Sequence, residues 1–549
     1  MKEYINDAIN KYLNYSDPSA ESSKSPDEEG HNKIPWHMPG HKRKAAPWGN
    51  DFHSDAFGHD LTEVPGMDDL HHPEEMIKQS MDEMTKVYKS FKSYYLVNGS
   101  TSGNLASIFA CLEGMHKGTG KNGKESAKEK AIMIARNCHK SVFNSLILSG
   151  VKPVYIYPRV SDEISIDGQI DAEDIKSAIE KNSYLDIKCC IITSPTYEGI
   201  ISDIEKISEC LHEYNIPLIV DEAHGAHFPF YEEEGCGENS DVTVASKNTG
   251  CGENSDVTVA SKNTGCGENS DVTVVSKNTG CSKKNAANDD GDSTALYPRS
   301  ALYKGADIVI QSLHKTLPCY TQTAVLHIAE NAGVKGFGKE EIAEKVERYL
   351  RIFQTSSPSY IFLQAMEKCI AWCDENRNEF IKHFDRIRRF RDKFRESSFR
   401  NLRLFGAGDL TRLVIFVKGV TGKKASELLE EKTGVVVEMA GNDYLVFIST
   451  VMDRDEDFDR LIESLRILDE LVDNESDESG SGSEEIFMVD TSEGSFQIKD
   501  AVGRRVTDYI YVYPPGIPII APYEIIEEKH VAEILHDIRC GYSVRSGKK

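Results

Sequence analysis

The stretch A-D-I-V-I-Q-S-L-H-K, residues 306–315, decides how the rest of the chain is read. Its apolar β-branched run, bounded by polar residues, has the pattern of a short strand buried on both faces. Lys315 stands just past the strand end, where open α/β sheets place their ligands. A lysine there can form a Schiff base with a carbonyl cofactor if its surroundings lower its pKa. Taken alone, it reads as an ordinary surface lysine. Working outward, L-I-V-D-E-A-H-G (218–225) is a second strand ending in acid and imidazole. Further β-branched runs at 131–135, 154–157, 189–193 and 217–220 look like buried strands, and helical stretches at 171–182 and 204–214 lie between several of them. This alternation predicts an α/β fold with a mainly parallel sheet covered by helices. After about residue 370 come long charged helices and the strand candidates 411–417 and 444–449, which suit a smaller α+β domain.

Four features carry chemistry. An aspartate at a strand end, as Asp221 is, can pair with a pyridinium nitrogen and keep it protonated. By itself it reads equally as a helix cap or a metal ligand. The stretch L-V-N-G-S-T-S-G-N (96–104) precedes the apolar helix 105–113. Hydroxyls and N–H groups at a helix start make a phosphate cradle, although such a loop also serves simple capping. His139, in R-N-C-H-K (136–140), follows another strand and could stack on a planar cofactor; a lone histidine is more often structural. Together the four supply a phosphate cradle, an aromatic stacker, a pyridinium partner and a Schiff-base lysine, in that order. Those are the demands of pyridoxal 5'-phosphate.

Composition narrows the class. The 549 residues are 39% hydrophobic and 28% charged, enough apolar material for a large core, so wholesale disorder is excluded. No run approaches 18 apolar residues, so no membrane-spanning helix is expected. Acidic residues number 89 against 64 basic, a net charge of −25, which disfavours nucleic acid and anionic membrane surfaces as partners and suits a small cationic substrate. Thirteen dispersed cysteines read as reduced thiols rather than a disulfide framework. Residues 1–15 show no hydrophobic run with a cleavage site, so a cytoplasmic protein is expected.

The fifteen-residue unit C-G-E-N-S-D-V-T-V-A-S-K-N-T-G occupies 236–250, recurs unchanged at 251–265, and returns at 266–280 with Val275 in place of alanine. A fourth copy begins at Cys281 and dissolves. Each unit offers only a short Val-Thr-Val alternation, too little for a solenoid, so a tandem duplication within a surface loop is expected, tolerated because closure cost rises slowly with length. Cys236, Cys251, Cys266 and Cys281 lack the close C-x-x-C pairing of zinc sites, and no metal is expected. Asp221 and Lys315 are 94 residues apart; without the repeats and the tail to 296 the separation is 33. Whether the two strands still meet is the question this insertion raises. Segments 16–30, 117–130 and 473–495 read as linkers or mobile loops.

With these motifs in place, the chain resembles the Orn/Lys/Arg decarboxylases of the PLP fold type I (aspartate-aminotransferase-like) group, in their shorter bacterial form. The resemblance runs over about 31–530 and rests on P-W-H-M-P-G-H-K-R (35–43), D-L-T-E-V-P-G-M-D-D-L-H-H-P (60–73), R-N-C-H-K-S (136–141) and S-P-T-Y-E-G (194–199). It continues in D-E-A-H-G-A-H (221–227), S-L-H-K (312–315), T-S-S-P-S-Y (355–360) and Y-P-P-G-I-P (513–518). It implies Lys315 as the Schiff-base lysine, Asp221 as the pyridinium partner and His139 as the stacker, with Ala223 and His224 lining the opposite side. Ser100, Thr101, Ser102, Ser312 and His314 would hold the phosphate, and His314 or Lys315 would return a proton to Cα. It further implies a homodimer with shared sites, pointing to Thr355 or Ser356 as a donor across the interface. The first family motif starts near residue 35, so decamer assembly through an amino-terminal wing is not expected.

The implied reaction is decarboxylation of arginine, lysine or ornithine to the amine and CO2, feeding polyamine synthesis. The alternatives are an aminotransferase or other lyase on the same fold, and a catalytically silent homologue whose repeat loop binds a partner. Glu524 is a candidate for the substrate's distal cation, although the family usually shows glycine before that glutamate and this chain has Tyr523. The expected organisation is an amino-terminal segment (1–75), a PLP-binding large domain (76–370, with the insertion at about 235–296) and a small α+β domain (371–475). An acidic linker (476–495) and a carboxy-terminal region (496–549) complete it.

Overall fold

The computed structural model describes residues 34–36, 68–114, 128–159, 166–231, 297–406, 408–473, 487–513 and 516–546. The repeats at 236–280 with their tail to 296, the segment 16–30, and most of 117–130 and 473–495 lie outside the described residues.

Seven strands form the central sheet: β1 (Lys92–Leu96), β2 (Lys130–Ala135), β3 (Lys152–Ile156), β4 (Asp186–Thr193), β5 (Leu218–Asp221), β6 (Ile308–Gln311) and β7 (Ala324–Ile328). Their order is β1-β7-β6-β5-β4-β2-β3. Strands β2 to β6 pair in parallel, and β7 runs antiparallel to both β6 and β1. Every residue of β5, β6 and β7 is buried, which is why these strands read as continuous apolar runs rather than alternating ones. Parallel neighbours end on the same edge, so the loops leaving β4, β5 and β6 converge there.

The question of the insertion is settled by register. Ile219 lies opposite Ile308, Val220 opposite Val309 and Asp221 opposite Ile310, so β5 and β6 are direct neighbours. Glu222, the first residue after β5, fixes the point where the chain re-enters the sheet. Its carboxylate accepts from Ser300 Oγ (2.6 Å), the Ala301 amide (2.7 Å) and Gln311 Nε2 (2.6 Å). Burial pushes this carboxyl up to about 7, against the opposing pull of those donors.

A second, antiparallel sheet contains β8 (Leu402–Leu404), β9 (Arg412–Val417), β10 (Met439–Ala440) and β11 (Tyr444–Ile448), in the order β8-β9-β11-β10. The period-two geometry of a strand splits β9 between two cores. Leu413, Ile415 and Val417 pack with Ile387, Phe390 and Leu461. Val414 and Phe416 face the other way, into a cluster with Tyr197 and Tyr444. Arg412 shares their parity and is carried toward the large sheet. A strand from the amino-terminal part, Ile34–Trp36, pairs in parallel with Val435–Val437. Trp36 is buried edge-on against Phe447 and Phe458, at 6.4 and 5.5 Å between ring centroids. The tryptophan of the 35–43 motif is therefore a core residue of this domain.

The carboxy-terminal region has its own core of Val489, Ile498, Ile510, Ile520 and Ile534. Arg136 ties it to the large sheet: the guanidinium donates to the Pro518 and Ile519 carbonyls at 2.6 and 2.8 Å, and bidentately to Glu524 at 2.9 Å for each contact. Among the described residues no helix is long and apolar enough to cross a membrane.

Candidate active site

Two hydrogen-bonded chains of side chains meet where β5 and β6 end. The first begins on α1 (Gly99–Gly114), whose Asn104 is fully buried. Its amide nitrogen donates to Asp221 Oδ2 at 2.8 Å and to Ser141 Oγ at 3.1 Å. Ser141 Oγ lies 2.9 Å from His139 Nδ1, and the Ser141 amide donates to that same nitrogen at 3.2 Å. His139 is thus the N-cap of α2 (Lys140–Ser149), and Nδ1 must accept. The ring proton is left on Nε2. Burial, then the charges of Lys315 and Lys140, hold this imidazole down to about 3, so it is neutral at physiological pH. Asp221 accepts a further bond from the Ala223 amide at 3.2 Å. Burial raises its carboxyl, and Lys315 and Asn104 pull it back.

The second chain starts at Lys315, on the short helix α3 (Leu313–Thr316). Its Nζ lies 2.9 Å from His224 Nε2. On the other side of that ring, Arg412 Nη2 donates to the His224 carbonyl at 2.9 Å and stands 3.3 Å from Nδ1. A guanidinium has only donors, so Nδ1 must be the bare nitrogen and Nε2 carries the proton. Nε2–H then points at a lysine nitrogen that has to offer a lone pair. The shifts run in the direction this requires. Desolvation lowers Lys315 to about 8, Arg412 adds to that shift, and Asp221 and Glu438 oppose it. Desolvation, followed by Lys315 and Arg412, holds His224 well below its ordinary value. Tyr197 closes this side edge-on to His224 at 4.8 Å, its hydroxyl donating to Glu438. Arg412 is itself anchored by Thr411 Oγ1 (3.1 Å) and by Asp409 (3.7 Å), which also meets His227 at 3.3 Å.

The hydroxyl-rich turn sits at the start of α1, and the helix begins at Gly99, earlier than 105. Gly99 has φ +70° and approaches the Gln322 carbonyl. Ser102 Oγ donates back to the Gly99 carbonyl at 2.8 Å, whereas Ser100 is half-buried and Thr101 is exposed. Ser312, at the N-cap of α3, is fully buried and its hydroxyl has no partner among the described residues. His314 Nδ1 lies 3.0 Å from the Thr323 carbonyl, which fixes a proton on Nδ1. Thr355 and Ser356 are exposed, and the Thr355 amide donates to Asn98 Oδ1 at 3.0 Å, beside Gly99. Glu524 is engaged by Arg136, the Ala521 amide (2.8 Å) and Tyr157 (3.3 Å), so its carboxylate holds the carboxy-terminal region in place.

Residues 27–244 match the major domain of the Orn/Lys/Arg decarboxylases. A protein named arginine decarboxylase from Bacillus subtilis is 26% identical over 540 residues, which cover 93% of this chain and 92% of that protein. The chain is thus similar to the Orn/Lys/Arg decarboxylases, in its major-domain region and in relatives that span most of its length. Its fold is that of the Francisella novicida lysine decarboxylase LdcF, with a TM-score of 0.60 at 16% identity, covering 99% of this chain and 81% of LdcF. A solved SPT structure with PLP shares the fold at a TM-score of 0.52 and 11% identity, over 86% of this chain and 98% of that one. This fold and the similarity to that family together imply pyridoxal 5'-phosphate as cofactor.

The residues fit that group. A lysine of lowered pKa and a buried aspartate stand across the ends of adjacent strands, and the buried Ser312 Oγ, without a partner among the described residues, lies beside a helix start. Sequence reasoning named Lys315, Asp221, His139 and His224 but not Asn104, Ser141 or Arg412. The signal for Arg412 was present: a lone cation opening the apolar run R-L-V-I-F-V.

Proposed function

We propose that this chain is a pyridoxal-phosphate-dependent decarboxylase of a basic amino acid, releasing CO2 and the corresponding amine for polyamine synthesis. The observation that carries the reading is the Lys315–His224–Arg412 chain set beside the Asn104–Asp221 pair on neighbouring strands. Bound there, pyridoxal phosphate would supply the electron sink that makes loss of CO2 from an α-amino acid feasible. The protein supplies everything else. Asp221 presents a carboxylate oriented by Asn104 and the Ala223 amide, suited to a ring nitrogen that must stay protonated. His139, kept neutral and oriented through Ser141, offers a ring face, and Ala223 and His224 line the opposite side.

Ser100, Thr101, Ser102, Ser312 and His314 would take the phosphate, with Thr355 or Ser356 contributing from the neighbouring subunit of a homodimer. His224 Nε2–H steers the lone pair of Lys315, and Arg412 keeps His224 in that tautomer. Lys315 is better placed than His314 to return a proton, because the proton of His314 is committed to the Thr323 carbonyl.

The arginine decarboxylase relative makes arginine the first substrate to test. The experiment measures CO2 and amine from arginine, lysine and ornithine side by side, with keto acid monitored. Amine and CO2 without keto acid, lost in Lys315→Ala together with the visible absorbance of the bound cofactor, is the expected result. Keto-acid formation would replace the reading with an aminotransferase; an inert protein that binds no cofactor would sink it.

A further inference from the structure

A cavity of about 1060 Å³ opens beside the carboxy-terminal region, bordered by the ends of β2 and β3, the β10–β11 turn and α4 (Glu528–Arg539). None of Lys315, Asp221, His139 and His224 lines it. Six carboxylates do, and three of them have no ion-pair partner among the described residues: Asp167, and Glu533 and Asp537, four residues apart on one face of α4. Asp537 is only 8% exposed, yet its carboxylate has no hydrogen-bond or ion-pair partner among the described residues. Burial, reinforced by Asp537, pushes Glu533 up to about 7, and burial pushes Asp537 to about 6.

The other acids of the wall are already matched. Glu524 is held by Arg136, Glu527 by Lys529 at 2.7 Å and Glu129 by Lys152 at 3.5 Å. Arg505 also lines the cavity, with its guanidinium on the Tyr523 carbonyl. Asp167, Glu533 and Asp537 therefore have no ion-pair partner among the described residues, although Arg136 draws on the first two and Lys529 on Glu533 from a distance. Tyr155, Tyr157, Tyr444 and Tyr542 complete the wall with rings that suit alkyl chains and ammonium groups. Among the described residues no three acidic, histidine or cysteine side chains converge tightly enough to hold a metal ion. Separated positive charges match this spacing better than a single ion.

We propose that this cavity binds a small aliphatic di- or triamine, a ligand with ammonium groups spaced along an alkyl chain and no carboxylate. The proposal does not depend on the reaction performed around Lys315. The test is calorimetric titration of the full chain with putrescine, spermidine, n-butylamine and magnesium chloride. Putrescine or spermidine should bind, n-butylamine at least about tenfold more weakly, and the Glu533→Gln/Asp537→Asn double variant should weaken the diamine by about tenfold or more. Lys315→Ala should bind as the parent does.

The Glu533 side chain reaches the surface of α4 although the cavity wall partly desolvates its carboxylate, so Glu533→Lys places an internal ammonium at the cavity without disturbing the core. It should weaken binding at an unchanged melting temperature, which keeps the test open if the double variant fails to fold. Absence of binding to the parent, binding untouched by these substitutions, or a magnesium site that diamines do not displace would each overturn the proposal.

Discussion

The site around Lys315 and the cavity under α4 differ in how they treat charge. Around Lys315 the buried ionic groups are matched: Asp221 by Asn104 and the nearby lysine, Arg412 by Asp409 and the His224 carbonyl, Asp409 by His227. Along the cavity wall Asp167, Glu533 and Asp537 are left with a surplus. A matched network fixes geometry and protonation in advance, which is what chemistry needs. An unmatched one keeps an unspent field, which suits binding of an opposite charge.

The comparison breaks most sharply if Lys315 is dispensable. Lys315→Ala is expected to lower decarboxylation on the order of 10³-fold, read by amine release; more than a tenth of parental activity would remove the lysine from its assigned place. Next in size is Arg412→Ala, which strips the donor from His224 and leaves Asp409 less compensated. It should cost about 3 kcal/mol in urea denaturation. Because Arg412 helps hold Lys315 near 8, the same variant should move the midpoint for loading pyridoxal phosphate upward. Loading should rise with pH through that midpoint, since only the neutral amine attacks; an unmoved midpoint would mean that Arg412 acts on packing alone.

Asp537→Asn should do the reverse and stabilise, by about 1–3 kcal/mol at pH 8. Its folded pKa, about 6, lies above the unfolded value of 3.8, so the folded state holds the extra proton and stability from this group falls as pH rises between those values. The gain should therefore vanish below about pH 4. Thermal melts across that range check the sign, and a loss at pH 8 would reveal a partner for the carboxylate. Smallest of all, deletion of 236–280 should change kcat by less than about twofold, because β5 and β6 pair directly. A larger change would tie the repeats to catalysis.

Much of the large sheet was legible because its central strands are buried on both faces: the runs at 131–135, 217–220 and 307–311 stand within a residue of β2, β5 and β6. K-S-Y-Y-L at 92–96 was not read as a strand, since its serine and tyrosines carry no continuous apolar signal, yet it closes the sheet as β1. Asp221 and Lys315 were visible at strand ends. Arg412 and Asn104 were not, because each acts from a distant element, and only strand parity or helix docking turns them inward. Trp36 shows the opposite failure: a residue in a recognisable motif, far from the reaction in role, that fills a core assembled from residues some 400 positions later.

The direct pairing of β5 with β6 has a kinetic side. Stretching the separation of Asp221 and Lys315 from 33 to 94 residues adds only about 1 kcal/mol of closure entropy. That cost falls on the search for the pairing, before the sheet has formed. Higher contact order slows folding. The tandem repeats should therefore be felt at the ribosome and during refolding, as a longer interval with unpaired strand edges, and hardly at all in the turnover of the finished enzyme.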